Sequence, residues 1–205
     1  LGAGKTLIAN GGGLDNEGSA RLARAAVTGN TSHGRAGGLD NRGTLILVNT
    51  TVSGNNGLDD VGGIANFGAL GLFSSTVCDN ASQGTGGIYG AGGEITIVNS
   101  LVAGNRGRAG APDANADCAV FLPCTLASRG NNLFGRDTGC APGSEDVTVE
   151  PALVAGFLGP LQDNGGPTPT HALLDVTGNP ALQWGDPAGC VDPEGLLLET
   201  DQRGQ

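Results

Sequence analysis

Apolar residues return along the first half of this chain with two periods, a short one nested in a long one. Leu45-Ile46-Leu47-Val48 alternates as a strand does, and the pattern recurs 25 residues later as Leu70-Gly71-Leu72-Phe73 and again as Ile95-Thr96-Ile97-Val98. Alternation places successive side chains on opposite faces. The face made by Leu45, Leu47, Leu70, Leu72, Ile95 and Ile97 is apolar in every copy, so it points to a core. The opposite face carries the mixed column Ile46, Gly71, Thr96. Beside it Val48, Phe73 and Val98 form an apolar stripe on the outside, to be covered by the C-terminal segment or used as an interface.

The long period has its own markers. Valines stand at Val27, Val52, Val77 and Val102, and an asparagine follows each at Asn30, Asn55, Asn80 and Asn105. A glycine pair with a branched aliphatic residue precedes them, as in Gly37-Gly38-Leu39 and Gly62-Gly63-Ile64. A repeat of this length cannot bury its apolar face alone and must stack on its neighbours. Parallel crossovers are right-handed in nearly all cases. The expected fold is therefore all-β, a right-handed parallel β-helix with about 25 residues per coil.

Stacked asparagines at one turn satisfy backbone groups that the bend leaves over. Asn30, Asn55, Asn80 and Asn105 are read as such a structural ladder, and Asn16, Asn41 and Asn66 as a second one, broken at Gly90. Residues 1–105 are assigned to the coils. Residues 106–130, rich in Gly, Ala and Cys, are expected to be an irregular loop or coil. Residues 131–205 hold eight of the ten prolines and are expected to form an irregular C-terminal cap packed on the helix.

Composition narrows the function more than it defines it. The net charge is −10, with one lysine and nine arginines, which disfavours nucleic acid and anionic lipid surfaces as partners. No apolar run approaches the ~20 residues of a spanning helix, so no membrane span is expected. The chain has no methionine, which reads as a mature or trimmed piece. Five cysteines point to an oxidising compartment. Cys118, Cys124, Cys140 and Cys190 allow three pairings, while Cys78 sits in the slot of Thr28, Ser53 and Ala103 and reads as a small stacked residue.

Candidate chemistry is sparse. Asp15 and Asp40 fall at equivalent places in successive coils, close to Arg21, Arg24, Arg35 and Arg42. Stacked carboxylates have the spacing of a glycosidase pair, and arginine beside them would suit a polysaccharide lyase. Asp15, Asp40 and Arg42 are thus the candidate ligand-binding set, with no catalytic residue assigned. Asp113, Asn115 and Asp117 alternate oxygen donors like the opening of a calcium loop, although Cys118 and Cys124 stand where such a loop needs Gly and Glu. They are the one expected metal set, for a structural Ca²⁺, and no other cofactor is expected. Asp59 and Asp60 are read as facing water. His171 has no serine or cysteine at a spacing that pairs with it, and is read as a packed turn residue.

The tail carries further motifs: Gly130-Asn131-Asn132-Leu133-Phe134-Gly135, Leu158-Gly159-Pro160-Leu161, Asp163-Asn164-Gly165-Gly166-Pro167-Thr168-Pro169-Thr170-His171, and Thr200-Asp201-Gln202-Arg203-Gly204. These resemble the tails of secreted bacterial β-helix proteins with choice-of-anchor Q domains. The glycine-pair repeats are similar to those of polymorphic outer-membrane and other autotransporter-like passengers. The resemblance implies export to the bacterial cell surface or beyond, and no catalytic residues. The chain departs from it at Asn179-Pro180-Ala181-Leu182-Gln183, where such tails often end on Asp. The functional expectation is an extracellular structural or adhesive protein that assembles with itself, through the Val48-Phe73-Val98 stripe among other surfaces, or with other surface proteins. The alternative is a carbohydrate-active or glycan-binding β-helix.

Overall fold

The computed structural model describes residues 6–7, 10–107, 117–135 and 139–205. It is a parallel β-helix, and each coil contributes one strand to each of three main sheets. Sheet 1 holds Leu14–Asn16, Leu39–Asn41, Ile64–Asn66, Ile88–Gly90 and Cys118–Val120. Sheet 2 holds Ser19–Ala23, Thr44–Val48, Ala69–Phe73, Glu94–Val98 and Thr125–Ser128. Sheet 3 holds Ala26–Thr28, Thr51–Ser53, Thr76–Cys78, Leu101–Val102, Leu133–Gly135 and Val147–Val149. Two-residue strands, including Thr31–Ser32, Asn56–Gly57 and Ala81–Ser82, make a small fourth sheet at one corner.

The register is the one the repeat dictates. Leu45 pairs with Leu70, Leu70 with Ile95 and Ile95 with Leu126, while Val27, Val52, Val77, Val102 and Phe134 follow one another in sheet 3. These side chains fill one continuous core together with Leu39, Ile64 and Ile88 of sheet 1. Leu45, Leu47, Leu72, Ile95, Ile97 and Phe134 are wholly buried. Burying side chains of this kind stabilises by roughly 1.5–3 kcal/mol each. The repeat slips once: Ile88 pairs with Ile64 one residue short of the period, and the extra residue in Ala91-Gly92-Gly93 restores it, so Glu94 pairs with Ala69.

The glycine pair is a close-approach device. A Cβ on Gly37 would collide with the Asn56 backbone across the corner, and one on Gly62 with Gly86 and Ala81. The left-handed positions lie elsewhere. Sheet 2 turns into sheet 3 at Arg24, Asn49, Ser74, Asn99 and Asn131, all at positive φ, and sheet 3 turns at Gly29, Gly54, Asp79 and Gly104. Only Asp79 in that second column carries a side chain.

Both asparagine ladders are formed. Asn55 Nδ2 donates to Asn80 Oδ1 at 2.9 Å and to the Val27 carbonyl at 2.8 Å, and Asn30 and Asn80 repeat the first contact. Asn41 Nδ2 donates to Asn66 Oδ1 at 2.7 Å in the second ladder. Where that ladder breaks at Gly90, the Cys124 sulfur takes the space a Cβ would claim. A third ladder runs at the other corner: the amides of Thr50, Ser75 and Ser100 donate to Ser75 Oγ, Ser100 Oγ and Asn132 Oδ1, and Asn132 donates to Asp146.

The coils continue beyond residue 105. Residues 117–135, expected to include an irregular loop, add one strand to every main sheet, and Val147–Val149 adds another to sheet 3. The sequence period fails there because a longer connection intervenes, while the strand positions keep their register. The irregular cap therefore begins after Val149. It contains an antiparallel pair, Leu158–Gln162 with Thr170–Leu173, and a tail that runs back over the coils. Cys118 and Cys140 form a disulfide, and Cys78, Cys124 and Cys190 are free.

Candidate functional site

The outer face of sheet 1 gathers charge and aromatic surface in one place. Leu39 and Asn41 point inward, so Asp40 between them points outward, as do its register partners Asp15, Ala65 and then Tyr89. Asp40 is nevertheless fully buried, because its neighbours close over it. Arg42 Nη2 donates to its Oδ2 at 2.7 Å, and Arg35 Nη1 stands 3.7 Å from the same oxygen. Oδ1 of Asp40 and Nε of Arg42 are buried with no hydrogen-bond partner among the described residues. Burial pushes the Asp40 carboxyl above the ordinary carboxylate range and Asp15 adds to the rise, against the pull of Arg42 and Arg35.

Each arginine reaches outward as well. Arg42 Nη1 pairs with Glu17 at 2.9 Å, and the Arg35 guanidinium lies 5.2 Å from the Phe67 ring centre in a cation–π contact. Phe67 continues to Tyr89 at 6.1 Å between ring centres, and Tyr89 to Phe121 at 5.6 Å. Three of the seven aromatic residues of the chain thus form one row along the coils. Phe67 and Tyr89 are half-buried against Ala36, Val61 and Ala65, and Phe121 is half exposed. Sequence reading missed this row because Ala91 separates Phe67 from Phe121 in their shared column, the longer connection before Phe121 breaks the period, and Tyr89 stands two positions earlier.

The expected site residues separate. Asp15, Asp40 and Arg42 do come together, with Arg35. Arg21 and Arg24 leave the group: Arg21 pairs with Glu194 at 3.1 Å in the tail, and the Arg24 carbonyl accepts from Thr168 at 3.5 Å. Asp59 faces His33 at 3.2 Å. Asp113 and Asn115 lie outside the described residues. Asp117 is buried, and its Oδ1 accepts from the backbone N and Nδ2 of Asn105, both at 2.8 Å, so it ends the first ladder. The Val48-Phe73-Val98 stripe stacks in register. Val48 is buried and the other two half-buried, with the tail fastened beside them where Asn49 Nδ2 donates to the Thr200 carbonyl and Asn99 Nδ2 to Cys190 Sγ.

The expectation for His171 is overturned. Its Nε2 lies 2.8 Å from Ser53 Oγ, and its Nδ1 2.7 Å from the Gly159 carbonyl oxygen. The cap hairpin brings together residues 118 positions apart, which no local spacing discloses.

Comparison with protein-family models, with curated proteins and with solved structures finds no match. The functional reading rests on the geometry of this chain.

Proposed function

We propose that this protein is an extracellular, non-catalytic β-helix scaffold that adheres through glycan binding on the outer face of sheet 1. The observation that carries this reading is the Asp40-anchored pair of guanidiniums, Arg35 and Arg42, standing beside the Phe67–Tyr89–Phe121 row. The apolar face of a pyranose ring packs on aromatic rings, while its hydroxyls need fixed donors and acceptors nearby. Arg35 and Arg42 are partly exposed donors, and Asp15 and Glu17 are exposed acceptors. Asp40 acts by holding the guanidiniums rather than by touching the sugar.

Charge selects among glycans. Asp15, Glu17 and Asp40 outnumber the two arginines, and the whole chain carries −10. A polyuronate would meet net repulsion, so the preferred ligand is a neutral glycan. The same fact favours adhesion over lyase chemistry, because both arginines are already committed to carboxylates. The Cys118–Cys140 disulfide is compatible with an extracellular place for the protein. Among the described residues no helix is long and apolar enough to cross a membrane.

A glycan array probed with the wild-type chain and with Phe67→Ala and Tyr89→Ala variants tests the proposal. Binding to neutral oligosaccharides that falls at least tenfold in both variants is expected. Binding confined to polyuronates, or unchanged by either variant, would contradict it.

A further inference from the structure

We propose that Cys78, Asp79 and His171 hold one divalent ion of the zinc class, clasping the cap hairpin to the third coil. Their ligand atoms, a thiol sulfur, a carboxylate oxygen and an imidazole nitrogen, all lie within 4.8 Å of one another. In a tetrahedral site with metal–ligand distances of roughly 2.0–2.3 Å, neighbouring ligand atoms stand somewhat closer than that, so a small inward shift completes the geometry.

Three observations point to a ligand there. The first is the orientation of His171. A carbonyl oxygen only accepts, so the 2.7 Å contact with Gly159 places the proton on Nδ1 and leaves the Nε2 lone pair facing Ser53 and the cluster. A metal-binding imidazole is held in this way, with its far nitrogen donating to a carbonyl or carboxylate.

The second is the column statistics of the coils themselves. Position 78 is occupied by Thr28, Ser53 and Ala103 in the other 25-residue coils, and position 79 by Gly29, Gly54 and Gly104. The third coil alone substitutes a thiol and a carboxylate, side by side. Asp79 does so at φ 55°, a left-handed conformation that its neighbours meet with glycine and that costs a residue with a Cβ on the order of 1 kcal/mol. That replacement lies next to Ser53, the residue of the preceding coil that His171 contacts.

The third is access. Cys78 and Asp79 line a cavity of about 440 Å³ whose far wall is Val154, Leu158, Gly159 and Pro160 of the cap. Sulfur with imidazole selects zinc over calcium or magnesium, which take oxygen ligands. Three protein ligands leave a fourth position for water or for Ser53 Oγ, which lies 3.9 Å from Cys78 Sγ.

Cobalt(II) titration of the chelator-treated full chain tests the assignment, since a thiolate–cobalt bond gives a near-ultraviolet charge-transfer band. One equivalent of Co²⁺ producing that band, displaced by Zn²⁺, with release of one proton, is the expected result. Cys78→Ser, which reproduces the serine of the preceding coil, should abolish the band. His171→Ala should weaken binding at least a hundredfold, and Asp79→Gly at least tenfold. A Cys124→Ser/Cys190→Ser double variant should keep the band. No saturable binding, or a band that survives Cys78→Ser or disappears in the double variant, would overturn the proposal.

Discussion

Asp117 Oδ1 accepts two hydrogen bonds from Asn105, one from the backbone N and one from Nδ2, each 2.8 Å long. It stands where the next asparagine of the ladder would be, one connection beyond the last regular coil. The stack thus ends on a carboxylate that only accepts, and every asparagine below it keeps the same two contacts. Asp146 closes the third ladder in the same manner by accepting from Asn132.

Replacing Asp117 separates these roles. Asp117→Asn keeps the accepting oxygen and should change stability by less than ~1 kcal/mol. Asp117→Ala leaves two buried donors of Asn105 without their acceptor and should cost roughly 2–4 kcal/mol. Urea unfolding of the two variants checks this. A calcium-binding role for Asp117 would instead make both variants lose Ca²⁺-dependent stabilisation.

The core should be graded by burial. Leu72→Ala removes a wholly buried side chain at mid-stack and should cost about 2–5 kcal/mol. Leu122→Ala, at a side chain 92% exposed, should stay within about 0.5 kcal/mol. Thermal melts of both proteins measure the contrast.

Asp40 makes stability depend on pH in a defined sense. Its folded-state value is raised, chiefly by burial, so the protonated form is the one the fold prefers. Its contribution is therefore fully present below the ordinary carboxylate value and is lost as pH rises through the raised one. Asp40→Asn mimics the protonated form. It should gain stability over wild type at pH 7, and the difference should shrink as pH falls below 4. Paired melting curves across that range would show the convergence.

The disulfide spans 22 residues, and the loop-closure model assigns such a crosslink about 3 kcal/mol. Reduction should lower the melting temperature, and Cys118→Ala/Cys140→Ala should reproduce the loss without added reductant. Cys124→Ser and Cys190→Ser should leave the reductant effect in place, since both thiols are free.

The fold was legible because it is periodic. Val27, Val52, Val77 and Val102, and the asparagines that follow them, report one shared environment four times over. Legibility ended where function departs from period. Phe67 and Phe121 share a register column, but Ala91 interrupts it, and Tyr89 from two positions earlier joins the row in its place. Ser53 and His171 meet because the cap folds back on the third sheet, a long-range contact that spacing does not encode. Asp15, Asp40 and Arg42 could be grouped in advance because they share adjacent coils. The burial of Asp40 could not, since it depends on Arg35 and Arg42 closing over it.

The glycan-binding account is tested most directly by calorimetry, using the strongest neutral ligand from the array with wild type and Asp40→Asn. Wild type should bind with one-to-one stoichiometry, and Asp40→Asn should bind at least tenfold more weakly while melting no lower at pH 7. That combination would show that Asp40 holds Arg35 and Arg42 for the ligand at the expense of stability. Equal affinity in the two proteins would contradict the account, because the guanidiniums would then need no carboxylate to position them.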